Sequence, residues 1–261
     1  MGSVAMLSTG SPSTAGLSPA GLSTAGAIGE SAPLAAACVP APEADDDVCA
    51  LCHGWTRRGY PVCFPCRLTA GQVSWPCRRV APVSLYRPGG VLHQALRGYK
   101  DGPPATRAVL ARRVGALLAR FLWERGPEVA PAGWDGLVVV PSTTGRAGGH
   151  PLEMALAAVV PVAAQLWPGT LRPGPAMVGH RQAGDGGFCL GEGADVAGSR
   201  VVLLDDTWTT GARAQSAASA LAAGGAEVQA VVVVGRVVTP VAGAPTGGWW
   251  ERHGGAATSR G

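Results

Sequence analysis

Two adjacent carboxylates, Asp205 and Asp206, stand between an apolar stretch and a Thr/Gly turn. The apolar stretch, residues 200–204, has the pattern of a strand buried on both faces, which is typical of a parallel sheet flanked by helices. Ligands of such sheets bind beyond the carboxyl ends of the strands, where we expect both acids to be exposed. Residues 209–211, Thr-Thr-Gly, then open a helix predicted over about 212–223, whose N-terminal amides and dipole favour an anion.

The acids and the turn suit different parts of one ligand. The carboxylates of Asp205 and Asp206 would repel a phosphate placed beside them, but they suit ribose hydroxyls or a Mg²⁺ ion that bridges to a pyrophosphate. The amides and hydroxyls of residues 209–211 suit a phosphate. A ribose 5-phosphate that carries a pyrophosphate satisfies both requirements. The alternative is a strand followed by an ordinary solvated turn, because Asp and Thr are common turn residues.

The order Leu-Asp-Asp-Thr-Trp-Thr-Thr-Gly-Ala, residues 204–212, resembles the phosphoribosyl-pyrophosphate (PRPP) signature of type I phosphoribosyltransferases, and in particular that of ComF-like proteins. The resemblance implies that the acids are the catalytic pair that holds the ribose and that the turn binds the 5′-phosphate. It gives these roles to Asp205 and Asp206 for the ribose, and to Thr209, Thr210, Gly211 and Ala212 for the phosphate. Arg213 stands where the family usually has Thr, so its side chain could either pair with the phosphate or block it.

Four cysteines form two Cys-x-x-Cys pairs: Cys49 with Cys52, and Cys63 with Cys66. Each pair places two thiolates on one tight turn, and two such turns close a tetrahedral, structural Zn²⁺ site. Cys77 could compete for the metal, and disulfides are an alternative. A c-type haem attachment is a third reading, because His53 follows the first pair, but it needs export and residues 1–56 contain no Lys or Arg for a secretory signal. A zinc ribbon before a phosphoribosyltransferase-like domain is itself the ComF-like arrangement.

Three further positions resemble functional segments of the family. The polar loop over residues 142–149 corresponds to the pyrophosphate-binding loop, which gives that role to Arg146. Lys100 resembles a ComF-like lysine that helps to bind phosphate, and an ordinary surface lysine is the alternative. Residues 179–188 resemble the segment that covers the acceptor. From that segment we expect these side chains to face the second substrate: His180, Arg181 and Asp185.

The remaining pattern predicts the elements of an α/β core. An amphipathic helix is expected over residues 104–124 and a strand over 136–141. A helix should begin near residue 151 and be ended or kinked by Pro161. A further apolar strand is expected over residues 228–234.

Composition and patterning divide the chain into four parts. We expect a disordered low-complexity tail (1–47), a zinc ribbon (48–80), a phosphoribosyltransferase-like domain (81–245) and a flexible C-terminal tail (246–261). No stretch of about 18 apolar residues is present, so we expect no membrane span and a cytoplasmic location. The formal charge of +4 over 261 residues permits contact with nucleic acid without requiring it.

These observations predict a parallel sheet flanked by helices, of the type I phosphoribosyltransferase class. The predicted function is binding of PRPP with Mg²⁺ and transfer of the phosphoribosyl group to an unidentified acceptor. The main alternative is a non-enzymatic accessory of DNA uptake, or competence, that keeps the PRPP fold. In that alternative the ribbon would contact single-stranded DNA or the uptake machinery through these basic and aromatic residues: Trp55, Arg57, Arg58, Arg67, Trp75, Arg78 and Arg79. The Arg213 substitution and an incomplete loop over 146–151 favour the alternative.

Overall fold

A parallel sheet forms the centre of the protein. The computed structural model describes residues 24–142, 150–157 and 159–254 of the chain. Within this part, four strands form the sheet in the order β1-β6-β5-β2: β1 Val80–Tyr86, β2 Gly136–Val139, β5 Arg200–Trp208 and β6 Glu227–Val237. Two short strands, β3 Leu171–Pro173 and β4 Phe188–Leu190, form a separate antiparallel pair. The pairings of the central sheet are parallel, as expected for strands that are apolar on both faces.

Helices and smaller elements cover both faces of the sheet. Along β5, Val202 and Leu204 belong to one hydrophobic core, and Val201 and Leu203 belong to the other. The first core includes residues of α1 Thr24–Ala35, α3 Val91–Asp101, α4 Pro104–Val129 and α5 Pro151–Ala157. The second includes residues of α7 Ala212–Ala223, of β3 and β4, and the buried cysteines of the predicted ribbon. The α/β fold class predicted from the sequence is therefore confirmed.

Several predicted elements are present, with shifted ends. The helix expected over 104–124 continues to Val129, and the helix expected over 212–223 is α7. The helix that begins at Pro151 ends at Ala157, and α6 Val160–Ala163 follows it around Pro161. The sequence reasoning did not predict β1 or α3. None of the helices in the described ranges combines the length and the apolar character that crossing a membrane requires.

The region before the cysteine pairs differs from the prediction of a disordered tail over 1–47. Residues 24–35 form α1, which packs on α4 through Leu34, a residue of the first core. Glu30 of α1 forms a bidentate ion pair with Arg112 of α4, with N–O distances of 2.9–3.1 Å. The prediction is corrected for residues 24–35, whose small side chains allow close packing on α4, and for Val39, whose backbone N–H donates to the Ser84 hydroxyl of β1 at 2.9 Å. Residues 1–23 lie outside the described part.

The C-terminal segment also differs from the prediction of a flexible tail over 246–261. Residues Pro245–His253 form α8, and Trp249 of this helix is fully buried in a cluster with Leu85 and Val238. Burial of an indole ring stabilises a contact strongly, so α8 is held against the end of the sheet. The prediction is therefore corrected up to residue 254, and residues 255–261 lie outside the described part.

Candidate functional site

The two acids lie near the carboxyl end of β5 and are buried. Asp205 pairs in register with Val233 of β6, and the strand continues to Trp208. Asp205 and Asp206 are each only 6% exposed. The expectation of exposed acids beyond the strand was wrong, because β5 continues past them and the end of α3 covers Asp206.

Asp206 is held by two side chains from the last turn of α3. The Tyr99 hydroxyl donates a 2.7 Å hydrogen bond to Oδ2 of Asp206, and the Lys100 ammonium forms an ion pair with the same oxygen. Burial alone would raise the pKa of Asp206. The charge of Lys100 and the hydrogen bonds from Lys100 and Tyr99 outweigh burial and hold the pKa below its usual value. Asp206 is therefore ionised at neutral pH.

Asp205 has the opposite electrostatic environment. Burial, followed by the neighbouring negative charge of Asp206, raises the pKa of Asp205 to about 7. Its Oδ1 accepts a 2.8 Å hydrogen bond from the backbone N–H of Asp206. At neutral pH the pair thus combines one carboxylate with one carboxyl group near its midpoint. Such a pair can both accept from and donate to neighbouring hydroxyl groups, and a bound cation would favour its fully ionised form.

The turn after β5 has a backbone that favours glycine and a buried aromatic support. Gly211 has a φ of 84°, in the left-handed region, and is the N-cap of α7. A Cβ atom on Gly211 would lie 2.2 Å from Cζ2 of Trp208, so the indole leaves no room for a side chain. Thr210 donates its hydroxyl to the carbonyl of His180, while Thr209 is exposed. The first amides of α7 therefore lie next to the acids, as the sequence predicts.

These groups line one cavity of about 430 Å³, which we call the acid cavity. Nine predicted site residues line it: Lys100, His180, Asp205, Asp206, Thr209, Thr210, Gly211, Ala212 and Arg213. Its walls combine acids, a lysine and a helix N-terminus, so it can bind a ligand that carries both hydroxyl and anionic groups.

Arg213 reaches from α7 towards the end of β2. Its guanidinium donates a 2.6 Å hydrogen bond to the carbonyl of Pro141, and its buried Nε has no partner among the described residues. Pro141 stands shortly before residues 143–149, a segment that includes Arg146 and lies outside the described part. Arg213 is therefore linked to the backbone that follows β2.

The segment expected to face the second substrate divides into two parts. His180 lines the acid cavity and also a neighbouring cavity, and Arg181 lines the neighbouring one. Asp185 instead accepts hydrogen bonds from the hydroxyls of Ser74, at 2.7 Å, and Ser219, at 2.6 Å. The expectation that Asp185 faces a substrate is not supported, because it links the predicted ribbon to α7.

The four predicted metal-ligating cysteines form a buried cluster. The Sγ atoms of Cys49, Cys52, Cys63 and Cys66 all lie within 4.8 Å of one another. Four sulfurs at about 2.3 Å from a tetrahedral zinc lie about 3.8 Å apart, and Sγ of Cys52 lies 3.8 Å from Sγ of Cys63. The backbone N–H of Cys63, which precedes α2 Phe64–Ala70, lies 3.3 Å from Sγ of Cys49. The cluster therefore fits a four-sulfur zinc site, and Cys77 is not part of it.

Arg236 is a residue of this region that the sequence reasoning missed. It lies near the end of β6, is 8% exposed, and donates from Nε to Sγ of Cys52 at 3.1 Å. Another of its nitrogens lies 3.3 Å from the carbonyl of Trp208. Hydrogen bonds with the neighbouring thiols, together with the charge of Arg236, hold the pKa of Cys52 well below its usual value. The available signal was an arginine separated from a run of buried valines by Gly235 alone, since a charge in such a strand needs a partner.

Comparison with known proteins gives one relative. No protein-family model matches the chain. Over 115 residues, 43% of this chain, it is 37% identical to an orotate phosphoribosyltransferase of a Nocardioides species. The matched region spans 60% of the length of that relative. The similarity supports a domain of the phosphoribosyltransferase type.

Proposed function

We propose that the protein binds PRPP with Mg²⁺ in the acid cavity and transfers the phosphoribosyl group to an acceptor. One observation carries this proposal: a buried carboxylate pair and the Gly211 start of α7 line the same 430 Å³ cavity. A ligand that fills the cavity must present hydroxyls to the acids and an anion to the helix. The ribose 5-phosphate part of PRPP presents both.

In this proposal each part of PRPP contacts a different part of the acid cavity. Asp205 and Asp206 accept hydrogen bonds from the ribose hydroxyls. The turn from Thr209 to Ala212 binds the 5′-phosphate through the first backbone amides of α7. Arg213 then lies towards the pyrophosphate, where its Nε gains a partner. When bound, Mg²⁺ neutralises charge on the pyrophosphate and makes it a better leaving group.

Transfer of the phosphoribosyl group passes through a sugar with positive charge at its anomeric carbon, as in glycoside cleavage. Asp206 contributes because its negative charge, present before the ligand arrives, stabilises that developing charge, and a bound cation would favour ionisation of Asp205 as well. Lys100 keeps Asp206 ionised and oriented, so it acts on the reaction through that carboxylate. The similarity to a protein named orotate phosphoribosyltransferase supports this class of reaction.

A calorimetric titration with PRPP and Mg²⁺ tests the proposal. We expect the double variant Asp205→Asn/Asp206→Asn to lose at least about 100-fold in affinity, because two charge-assisted contacts are removed. The exposed Asp195, whose side chain accepts a hydrogen bond from the nearby backbone N–H of Ala197, provides the control Asp195→Asn. Ribose 5-phosphate should bind more weakly than PRPP. A double variant that binds PRPP like the wild type would refute the site.

A second candidate is a protein that binds PRPP without turnover, such as an accessory of DNA uptake. The observation in its favour is that Lys100 already pairs with Asp206, so one acid is engaged before a ligand binds. Release of pyrophosphate from bound PRPP separates the two candidates. Tight PRPP binding without any acceptor-dependent release would favour the second.

A further inference from the structure

A second cavity, of about 660 Å³, lies between the predicted ribbon and the end of the sheet. We call it the ribbon cavity. Its walls come from residues 55–67, from the segment after β6 and from the turn after β5. It shares His180, Thr209 and Thr210 with the acid cavity, so a molecule bound in it would lie next to one bound at the acids.

The ribbon cavity is lined by positive charge. Arg57, Arg67, Arg181 and the buried Arg236 line it, and no Asp or Glu is among its described lining residues. Arg236 is engaged by Cys52 and by backbone carbonyls. In the described part of the chain, no side chain pairs with the guanidinium groups of Arg57 or Arg181, and both residues are exposed. These two groups are therefore free to bind an anion.

Aromatic rings line the same cavity. Trp55, Tyr60 and Phe64 line it, and Tyr60 and Phe64 are 52% and 59% exposed. The guanidinium carbon of Arg67 lies 5.8 Å from the centre of the Phe64 ring, which orients this arginine along the wall. Exposed aromatic faces beside guanidinium groups suit a flat ring that carries a negative charge.

We propose that the ribbon cavity binds the acceptor of the transfer, and that this acceptor is a small planar heteroaromatic molecule with an anionic group. The inference rests on the proposed function, because it takes the acid cavity as the PRPP site. A ring nitrogen of the acceptor forms a bond to the anomeric carbon, and the bond from that carbon to the pyrophosphate oxygen breaks. The pyrophosphate leaves with the bonding electron pair. A ring nitrogen that carries a proton, as in orotate, loses it to solvent, whereas a pyridine nitrogen, as in nicotinate, has none to lose and becomes positively charged. The anionic group takes no part and stays on the arginines.

The volume and position of the cavity favour a small molecule as its occupant. Ligand pockets for small molecules span roughly 300–1,000 Å³, which includes this one. The two cavities meet at Thr209, so the reacting nitrogen must pass this residue to reach the sugar. A molecule small enough to enter the ribbon cavity completely can place its nitrogen there. The predicted ribbon thus supplies the specificity of the transfer in addition to its structural role.

Two pairs of probes that differ in the anionic group test this inference: orotate against uracil, and nicotinate against nicotinamide. Each probe is titrated into the full chain in the presence of ribose 5-phosphate and Mg²⁺. We expect the anionic member of at least one pair to bind roughly tenfold tighter, and Arg57→Gln to remove most of that preference. Equal binding within both pairs would overturn the inference.

Arg58 provides a matched control for Arg57. Its side chain is 84% exposed, pairs with Asp46 at 3.6 Å and does not line the cavity. Arg58→Gln should therefore keep the preference for the anionic probe. A twelve-nucleotide oligo(dT) is titrated in parallel. If it binds tightly and Arg57→Gln removes that binding, while the binding of orotate and nicotinate is unaffected, the cavity binds nucleic acid and the small-molecule acceptor is overturned.

PRPP titrations of the same variants keep the two proposals apart. Arg57 does not line the acid cavity, so Arg57→Gln should bind PRPP like the wild type. If the wild type fails to bind PRPP but still prefers the anionic probe through Arg57, the proposed function fails and the anion site stands. If PRPP binds and the probes show no preference, only the acceptor inference fails.

Discussion

Replacing Asp205 by Asn should stabilise the unliganded protein at neutral pH, although the two side chains are nearly the same size. The pKa of Asp205 is raised from 3.8 to about 7, mainly by burial and then by Asp206. The folded protein therefore holds this proton more tightly than the unfolded chain does. As the pH rises from about 4 to about 7, ionisation favours the unfolded chain, and the free energy of unfolding falls. Above about pH 7 this loss is complete.

The rise in the pKa of Asp205 from 3.8 to about 7 corresponds to a loss of about 4 kcal/mol in unfolding free energy, of which about 2 kcal/mol has already occurred at pH 5. Asn cannot ionise, so the Asp205→Asn variant avoids this loss. We expect it to exceed the wild type in unfolding free energy by up to about 4 kcal/mol at pH 8 and by about half of that at pH 5.

Asp206→Asn is the matched comparison, and its effect should have the opposite sign. The pKa of Asp206 is held low despite burial, so its carboxylate contributes stability above about pH 4 that is lost as the pH falls further. The variant loses the ion pair with Lys100 and weakens the hydrogen bond from Tyr99. We expect a loss of about 2–3 kcal/mol at pH 8.

Urea unfolding of both variants at pH 5 and pH 8, without PRPP or divalent cations, measures these differences. The reasoning is refuted if Asp205→Asn is less stable than the wild type at pH 8, or if its advantage is the same at both pH values. If Asp205→Asn raises the stability of the protein but abolishes PRPP binding, Asp205 is retained for its ligand. If Asp205 had a packing role, its replacement would instead lower the stability.

Two further predictions concern the metal and Arg213. Elemental analysis of protein purified without chelator should find one zinc per chain. Cys63→Ser should lose it, whereas Cys77→Ser should keep it, because the Cys77 thiol lies outside the cluster and donates to the Arg79 carbonyl. Arg213→Thr, which introduces the residue usual in the signature that residues 204–212 resemble, should weaken PRPP binding roughly tenfold, because it removes a guanidinium that reaches across the cavity. Tighter PRPP binding by this variant would instead mean that Arg213 blocks the site.

The part of the site that could be predicted from the sequence is local. Residues 200–223 encode a buried strand, two acids, a Gly turn and a helix start in consecutive order, and the structure contains each of them. The cluster of four cysteines could also be predicted from the sequence, because each Cys-x-x-Cys pair lies on one tight turn. In both cases the chemistry depends on neighbours within a few positions, which is the range over which residue patterns predict structure.

The parts that could not be predicted depend on contacts between distant segments. The pKa values of Asp205 and Asp206 differ because Tyr99 and Lys100, more than 100 positions away, meet only one of the acids. The ribbon cavity exists because residues 55–67 lie against the turn after β5. Neither composition nor periodicity carries information about such a contact between distant segments.

The contacts of the cysteine cluster make it part of the candidate site. Arg236 contacts both Sγ of Cys52 and the carbonyl of Trp208, the residue on which the Gly211 turn packs. Thr69, at the end of α2, donates its hydroxyl to the carbonyl of Thr210 at 3.1 Å. Two hydrogen-bonded links therefore join the predicted zinc site to the backbone that is proposed to bind phosphate. Because buried polar links hold their partners in one geometry, a bound metal would fix the turn as well as the ribbon.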